Sequence, residues 1–129
     1  MSVGLVIVSH SAQLADGVVE LALQMAHDVQ LRAAGGTDDG RIGTSFDKVS
    51  AAVTELRDAG LDVAILTDLG SATMTVDAVL EFLDSEELEH VKFSDGPLVE
   101  GAVAAAVTAQ VGGDLDAVVA AGRARELFE

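Results

Sequence analysis

With 129 residues, half of them apolar, the chain is long enough to bury one hydrophobic core and too short for two domains of ordinary size. Its 22 acidic residues outnumber 7 basic ones, and this excess of negative charge argues against binding to nucleic acids or to anionic membranes. Cysteine is absent, which excludes disulfides and cysteine-ligated metals. The chain has neither a basic N-terminal region nor an apolar run of membrane-spanning length, and we therefore expect a cytoplasmic protein.

The lysine-poor, acidic composition is typical of proteins that work in high salt, where screening removes the repulsion between like charges. We interpret it as the mark of a halophilic host. An acidic face that binds a partner in an ordinary cell is the alternative interpretation.

The first predicted strand, residues 3–8, is apolar on both faces, and a predicted helix follows almost at once. The inward face of this helix is predicted to consist of Leu14, Val18, Leu21 and Met25. His10 lies between the strand and the helix, at the position where an open parallel sheet has its ligand crevice. A histidine beside the free amides of a helix start indicates phosphoryl chemistry.

Three further strand–helix units and a last helix follow. The other strands are predicted over residues 29–33, 63–66 and 90–94. The other helices are predicted over residues 46–60, 72–83, 97–110 and 114–127, with Pro97 in the first turn of the fourth and Asp114 capping the fifth. This order predicts a single α/β domain over residues 1–129, with a central, mainly parallel sheet of order 2-1-3-4 and helices on both faces, in a flavodoxin-like arrangement.

In such a sheet the loops after the strands meet at one edge, and strands one and three are neighbours. This places His10 beside Asp68. An aspartate that accepts a hydrogen bond from one ring nitrogen fixes the tautomer and leaves the other nitrogen as a nucleophile. Uncharged groups around them would hold a phosphoryl group and still allow its transfer. The predicted phosphate-binding residues are Ser11, Gly43, Thr44, Gly70 and Ser71.

Each candidate residue also has a structural interpretation. His10 would then only cap the turn between strand and helix, and Asp68 would be the N-cap of the third helix, a role compatible with orienting His10. The glycine-rich loop, residues 35–45, matches no nucleotide-binding motif. We interpret His27 as structural and His90 as solvated. Three histidines without close helical spacing predict no dedicated metal site.

Four segments carry a resemblance to a known family. They are residues 6–11 (VIVSHS), 42–44 (IGT), 68–72 (DLGSA) and 97–101 (PLVEG). Together they resemble the phosphotransfer subunits of phosphoenolpyruvate-dependent dihydroxyacetone kinases, relatives of the mannose-type IIA domains of the sugar phosphotransferase system. The resemblance runs from residue 3 to about residue 127.

The resemblance implies a homodimeric phosphotransferase component without a tightly bound cofactor. In it, His10 takes a phosphoryl group that comes from phosphoenolpyruvate through the phosphocarrier HPr. The group then passes to ADP on the kinase L subunit, and from the resulting ATP to dihydroxyacetone on the K subunit. The resemblance also implies that Asp68 orients His10 and that Thr44 and Ser71 line the phosphate pocket.

Some relatives append an HPr-like domain and part of an enzyme I, whereas this sequence ends at Glu129, so we expect a separate donor protein. Two alternatives remain open: a mannose-type IIA domain serving a sugar permease, and a non-catalytic regulatory module on the same fold. The apolar side of the fourth helix, with Val99, Val103 and Val107, is a hint of dimerisation.

Overall fold

The computed structural model describes residues 2–125, which form four strands and six helices. The strands are β1 (Val3–Ser9), β2 (Leu31–Gly35), β3 (Asp62–Thr67) and β4 (Val91–Phe93). The helices are α1 (Ala12–Met25), α2 (Phe46–Asp58), α3 (Gly70–Glu81), α4 (Ser85–Leu88), α5 (Leu98–Gln110) and α6 (Leu115–Gly122). All strand pairs are parallel and the order is β2-β1-β3-β4, so the predicted sheet is confirmed.

The central strand β1 is buried along its whole length, which explains why its sequence is apolar at consecutive positions. Leu5 and Ile7 pack into a cluster with residues of α1, α5 and α6. Val6 and Val8 point to the other face and pack into a cluster with residues of α2 and α3. The carboxyl ends of β1 and β3 therefore emerge side by side between two helical layers.

The predicted inward face of α1 is wrong. Of its four side chains only Val18 is buried; the other three are 41%, 43% and 58% exposed, namely Leu14, Leu21 and Met25. The buried face of α1 is instead formed by Ala15, Val18 and Ala22. The reason is the short distance between α1 and β2: a Cβ built on Gly35 would lie 2.8 Å from the Cβ of Ala15, so only small side chains fit there.

Several predicted boundaries also shift. β2 begins two residues later than predicted, because Leu31–Gly35 is the segment that pairs with β1. Pro97 is the N-cap of α5 rather than part of its first turn. α6 is capped by Asp114 as predicted, but it ends at Gly122, and the end predicted for it at residue 127 lies outside the described residues. The short helix α4 is an addition, begun by Asp84, whose side chain accepts a hydrogen bond from the amide of Glu87.

Candidate functional site

The structure places His10 directly after β1 and Asp68 directly after β3. These two strands are neighbours, with Val8 opposite Thr67 in the register. His10, two residues after Val8, and Asp68, one residue after Thr67, therefore meet at the edge of the sheet. His10 Nδ1 lies 2.9 Å from Asp68 Oδ1, and the backbone amide of His10 donates to Asp68 Oδ2 at 2.9 Å. The side chains are 19% and 11% exposed, so most of the pair is shielded from solvent and a small part remains accessible.

These contacts determine the tautomer of His10. An ionised carboxylate can only accept hydrogen bonds. Nδ1 therefore carries the ring proton and donates a hydrogen bond to Asp68. Nε2 then holds a lone pair and lies 2.5 Å from Ser71 Oγ, whose hydroxyl donates to it. The imidazole therefore presents a nucleophilic nitrogen toward the first turn of α3.

The Asp68 carboxylate accepts four hydrogen bonds. The donors to Oδ1 are the His10 ring and the Leu69 amide at 2.7 Å; those to Oδ2 are the His10 amide and the Ser9 hydroxyl, both at 2.9 Å. Burial by itself would raise the pKa of Asp68, but the hydrogen bonds from His10, Ser9 and Leu69 outweigh it and hold this pKa below its usual value. Asp68 is therefore a carboxylate in the folded protein at neutral pH.

The alternative interpretation of Asp68 as the N-cap of the third helix is wrong. Leu69 occupies the N-cap position of α3, and no side chain caps this helix. The amides of Gly70 and Ser71 begin α3 and have no acceptor within the helix. This end of α3 therefore offers free N–H groups and the positive end of a helix dipole next to His10.

Two of the other predicted phosphate-binding residues, Ser11 and Gly43, are tied to the segment around His10 by hydrogen bonds from backbone amides. Ser11 is the N-cap of α1, and its hydroxyl accepts from the Leu14 amide at 3.2 Å. The Gly43 amide donates to the His10 carbonyl at 2.9 Å, which fastens the glycine-rich loop to the site. Gly43 has φ 145°, a backbone conformation that favours glycine.

Thr44 is linked to α3 rather than to the imidazole. Its Oγ1 lies 2.6 Å from Thr75 Oγ1, and Thr75 donates in turn to the Ser71 carbonyl at 3.4 Å. The hydroxyls of Thr44 and Thr75 thus connect the glycine-rich loop to the first two turns of α3. No local pattern indicated a role for Thr75, because its partner Thr44 lies 31 residues away in the chain.

Ser9 is the second contributor that the sequence analysis did not select. It is fully buried, although a serine at the end of an apolar strand has few ways to satisfy a hydroxyl. The one signal in the sequence that could have identified Ser9 is its position: a polar residue at the end of a strand that is predicted to be buried on both faces.

The other two histidines lie elsewhere. His27 is 80% exposed beside Asp28. His90 is not simply solvated: its Nδ1 lies 2.8 Å from Oδ1 of Asp62, at the opposite end of β3 from the site.

In residues 2–125 no three His, Asp or Glu side chains converge in a way that could hold a metal ion. Within the same range, no helix has the length and apolarity needed to cross a membrane.

A family model described as the PTS system fructose IIA component, EIIA-man, matches residues 4–119. The chain belongs to the EIIA-man family. It is 38% identical over 118 residues to the PTS-dependent dihydroxyacetone kinase phosphotransferase subunit DhaM of Lactococcus lactis, covering 92% of this chain and 91% of that one. It is 43% identical over 108 residues to a phosphoryl donor subunit DhaM of Listeria innocua, covering 84% and 82%. These matches place the chain in the DhaM branch of the EIIA-man family, as the resemblance predicted.

The DhaM of Escherichia coli is 42% identical over 121 residues, and here 91% of this chain corresponds to only 25% of the relative. Among solved structures, the protein of unknown function EF1359 superimposes with a TM-score of 0.87 at 33% identity, covering 96% of this chain and 95% of that one. A sigma-54 interaction domain protein from Enterococcus faecalis reaches a TM-score of 0.71 at 17% identity, with coverage of 99% and 97%, and shows the shared fold alone.

Proposed function

We propose that this member of the EIIA-man family is the phosphoryl-carrying subunit of a phosphoenolpyruvate-dependent dihydroxyacetone kinase, and that His10 is the residue phosphorylated. The observation that carries the proposal is the imidazole geometry: Nδ1–H donates a hydrogen bond to Asp68, and Nε2 contacts the hydroxyl of Ser71 in the first turn of α3. The names of the DhaM relatives, which describe phosphoryl donor or phosphotransferase subunits of dihydroxyacetone kinases, support the same role.

In the proposed reaction, Nε2 of His10 attacks the phosphorus of a phosphohistidine on the donor protein HPr. The bond from phosphorus to the donor nitrogen breaks as the bond to Nε2 forms, so no proton has to move. The ring becomes positively charged, and the carboxylate of Asp68 stabilises that charge. Ser71 Oγ turns away from Nε2 and donates its hydroxyl to a phosphoryl oxygen, joined by the amides of Gly70 and Ser71.

Transfer of the phosphoryl group from His10 to the acceptor is a second displacement at phosphorus. A terminal phosphate oxygen of ADP, bound on the kinase L subunit, attacks the phosphorus and leaves the electron pair on Nε2. Because Ser71 and the helix amides are neutral, they hold the phosphoryl group without adding a fixed cation that would resist its departure. No cofactor bound to this chain is needed for either step.

Exposed apolar side chains near the site support a macromolecular donor and acceptor. Ile42 is 77% exposed in the loop fastened to His10, Leu69 is 61% exposed beside Asp68, and Met74 is 72% exposed one turn after Ser71. Apolar contacts do not depend on opposite charges, so they allow docking by partners that are acidic like this chain, once salt screens the repulsion.

A homodimer through the valine side of α5 is part of the same proposal. Val99 and Val107 are each 40% exposed, and Val107 borders an apolar groove of about 590 Å³ between α5 and α6. Sedimentation in high salt should give twice the chain mass, and Val107→Asp should shift the protein toward the monomer because it places a charge in an apolar contact. A wild type that sediments only as a monomer would contradict the dimer.

The alternative role, a IIA domain that feeds a sugar permease, uses the same histidine chemistry and differs in its acceptor. The DhaM relatives favour the kinase. The acceptor distinguishes the two: phosphorylated protein mixed with the L subunit and ADP should lose its phosphoryl group and form ATP.

The decisive experiment is intact-mass analysis after incubation with phosphoenolpyruvate, enzyme I and HPr in matched high salt. We expect the wild type to gain one phosphoryl mass that is lost in acid, and His10→Ala to gain none. His27→Ala is the matched control, because His27 is an exposed histidine outside the site, and it should be phosphorylated like the wild type. Absence of phosphorylation with a charged donor would contradict the proposal.

A further inference from the structure

Ser9 connects the ends of two strands and the start of α1 through one hydroxyl. Its Oγ donates to Asp68 Oδ2 at 2.9 Å and accepts from the Ser11 amide at 3.0 Å. Both roles are determined, because the carboxylate can only accept and the amide can only donate. The residue has no solvent exposure, so water does not compete for either hydrogen bond.

The hydroxyl is the one donor to Asp68, in the described structure, that comes from a side chain other than the imidazole itself. The backbone amides of His10 and Leu69 bind one carboxylate oxygen each. Ser9 adds a second donor on Oδ2, the oxygen that does not face the ring. Each donor resists rotation of the carboxylate about its Cβ–Cγ bond, and the Ser9 hydroxyl adds to the resistance that the two amides provide.

We propose that Ser9 is a positioning residue for phosphoryl transfer: its hydroxyl holds the Asp68 carboxylate in the orientation in which Oδ1 binds the Nδ1 proton of His10. The inference rests on the proposed function, since it assigns Ser9 a part in that reaction. Ser9 touches neither the phosphoryl group nor the attacking nitrogen. It acts through Asp68, on the tautomer and the direction of the ring.

The expected effect is on the rate of transfer and not on donor binding, because Ser9 is buried beneath the surface that a partner contacts. Ser9→Ala should lower kcat for phosphorylation of His10 by phospho-HPr about tenfold and change KM less than about twofold. Ser9→Thr keeps the hydroxyl and should stay within about threefold of the wild type.

Ser94→Ala is the matched control. Ser94 is also a fully buried serine, and its Oγ donates to the Val119 carbonyl at 2.7 Å rather than to Asp68 or His10. Loss of this hydroxyl should lower the free energy of unfolding without changing kcat. If Ser9→Ala and Ser94→Ala both leave kcat unchanged, Ser9 is only structural and the proposal is wrong.

A second readout does not depend on activity. The titration of the Asp68 carboxyl carbon, followed by ¹³C NMR, should show a higher pKa for Asp68 in Ser9→Ala than in the wild type, and no change in Ser94→Ala. An unchanged titration would overturn the inference even if kcat fell. If instead the wild type is never phosphorylated, the proposed function fails while this titration still tests the Ser9–Asp68 contact.

Ser9→Cys covers the case in which Ser9→Ala does not fold. A thiol is a weaker hydrogen-bond donor than a hydroxyl, so kcat should fall between the values expected for Ser9→Thr and Ser9→Ala, and the Asp68 pKa should rise. A Ser9→Cys protein equal to the wild type in both measurements would contradict the proposal.

Discussion

Asp68→Asn should lower the rate of His10 phosphorylation by about 10²–10⁴-fold. The asparagine side chain offers one oxygen and one NH₂ group where the carboxylate accepts four hydrogen bonds. If the oxygen faces Nδ1, the NH₂ group faces the His10 amide and the Ser9 hydroxyl, which are both donors. If the NH₂ group faces Nδ1, the ring proton must move to Nε2, which then has no lone pair with which to attack.

Asp62→Asn is the control for this variant, because Asp62 also binds a histidine through its Oδ1, at 2.8 Å, at the opposite end of β3. We expect it to be phosphorylated at the wild-type rate in a rapid-quench assay. A similar loss of rate in both variants would mean that the effect is a general loss of stability. A wild-type rate in Asp68→Asn would show that the tautomer of His10 does not depend on Asp68.

The wild type and Asp68→Asn should also differ in the pH dependence of their stability. The pKa of Asp68 lies below its ordinary value of 3.8 in the folded protein, so its ionised form stabilises the fold. This contribution is complete above about pH 5 and is lost as the pH falls through the lowered pKa. The contribution of the Asp68 carboxylate, and with it the difference in free energy of unfolding between wild type and Asp68→Asn, should therefore shrink as the solution becomes more acidic than about pH 5.

Gly35→Ala should lower the free energy of unfolding by about 2 kcal/mol, or the melting temperature by about 8 °C. A Cβ at this position would lie 2.6 Å from the Ser11 carbonyl oxygen and 2.8 Å from the Cβ of Ala15. Since these atoms belong to the cap and first turn of α1, the helix would have to move away from β2. Ser11 follows His10 directly, so phosphorylation should slow as well.

Gly17→Ala is the matched control and should have the opposite sign. Gly17 lies within α1, and a Cβ there would meet nothing within 4 Å. Alanine is the better helix former, so this variant should be more stable than the wild type by about 0.5–1 kcal/mol. Urea denaturation of the two variants measures both effects. A Gly35→Ala protein as stable as the wild type would contradict the close packing of α1 on β2.

The fold and the central pair of the site could be predicted because local patterns carry them. The consecutive apolar residues of β1 indicate a strand buried on both faces, and alternation with helices indicates a parallel sheet. In such a sheet the first and third strands are neighbours, so the residues after them, His10 and Asp68, were expected to meet.

The buried face of α1 could not be predicted in this way. Hydrophobic periodicity favours the face with the largest apolar side chains, Leu14, Leu21 and Met25. The structure buries the face with alanines, because Gly35 lets the helix approach the sheet too closely for anything larger. Which face of a helix is buried depends on the surface that it packs against. For α1 that surface includes Gly35 of β2, which lies outside the sequence of the helix.

The sequence by itself determined the order of strands and helices, the position of His10 at the carboxyl end of β1, and the family. Only the tertiary structure decided which hydroxyls reach the site: Ser71 contacts Nε2, Ser9 contacts Asp68, and Thr44 binds Thr75. Strand and helix propensities depend on neighbouring residues, and they can be read locally. Hydrogen bonds between residues that are 31 to 61 positions apart depend on how closely the helices pack against the sheet. A local sequence pattern does not contain that distance.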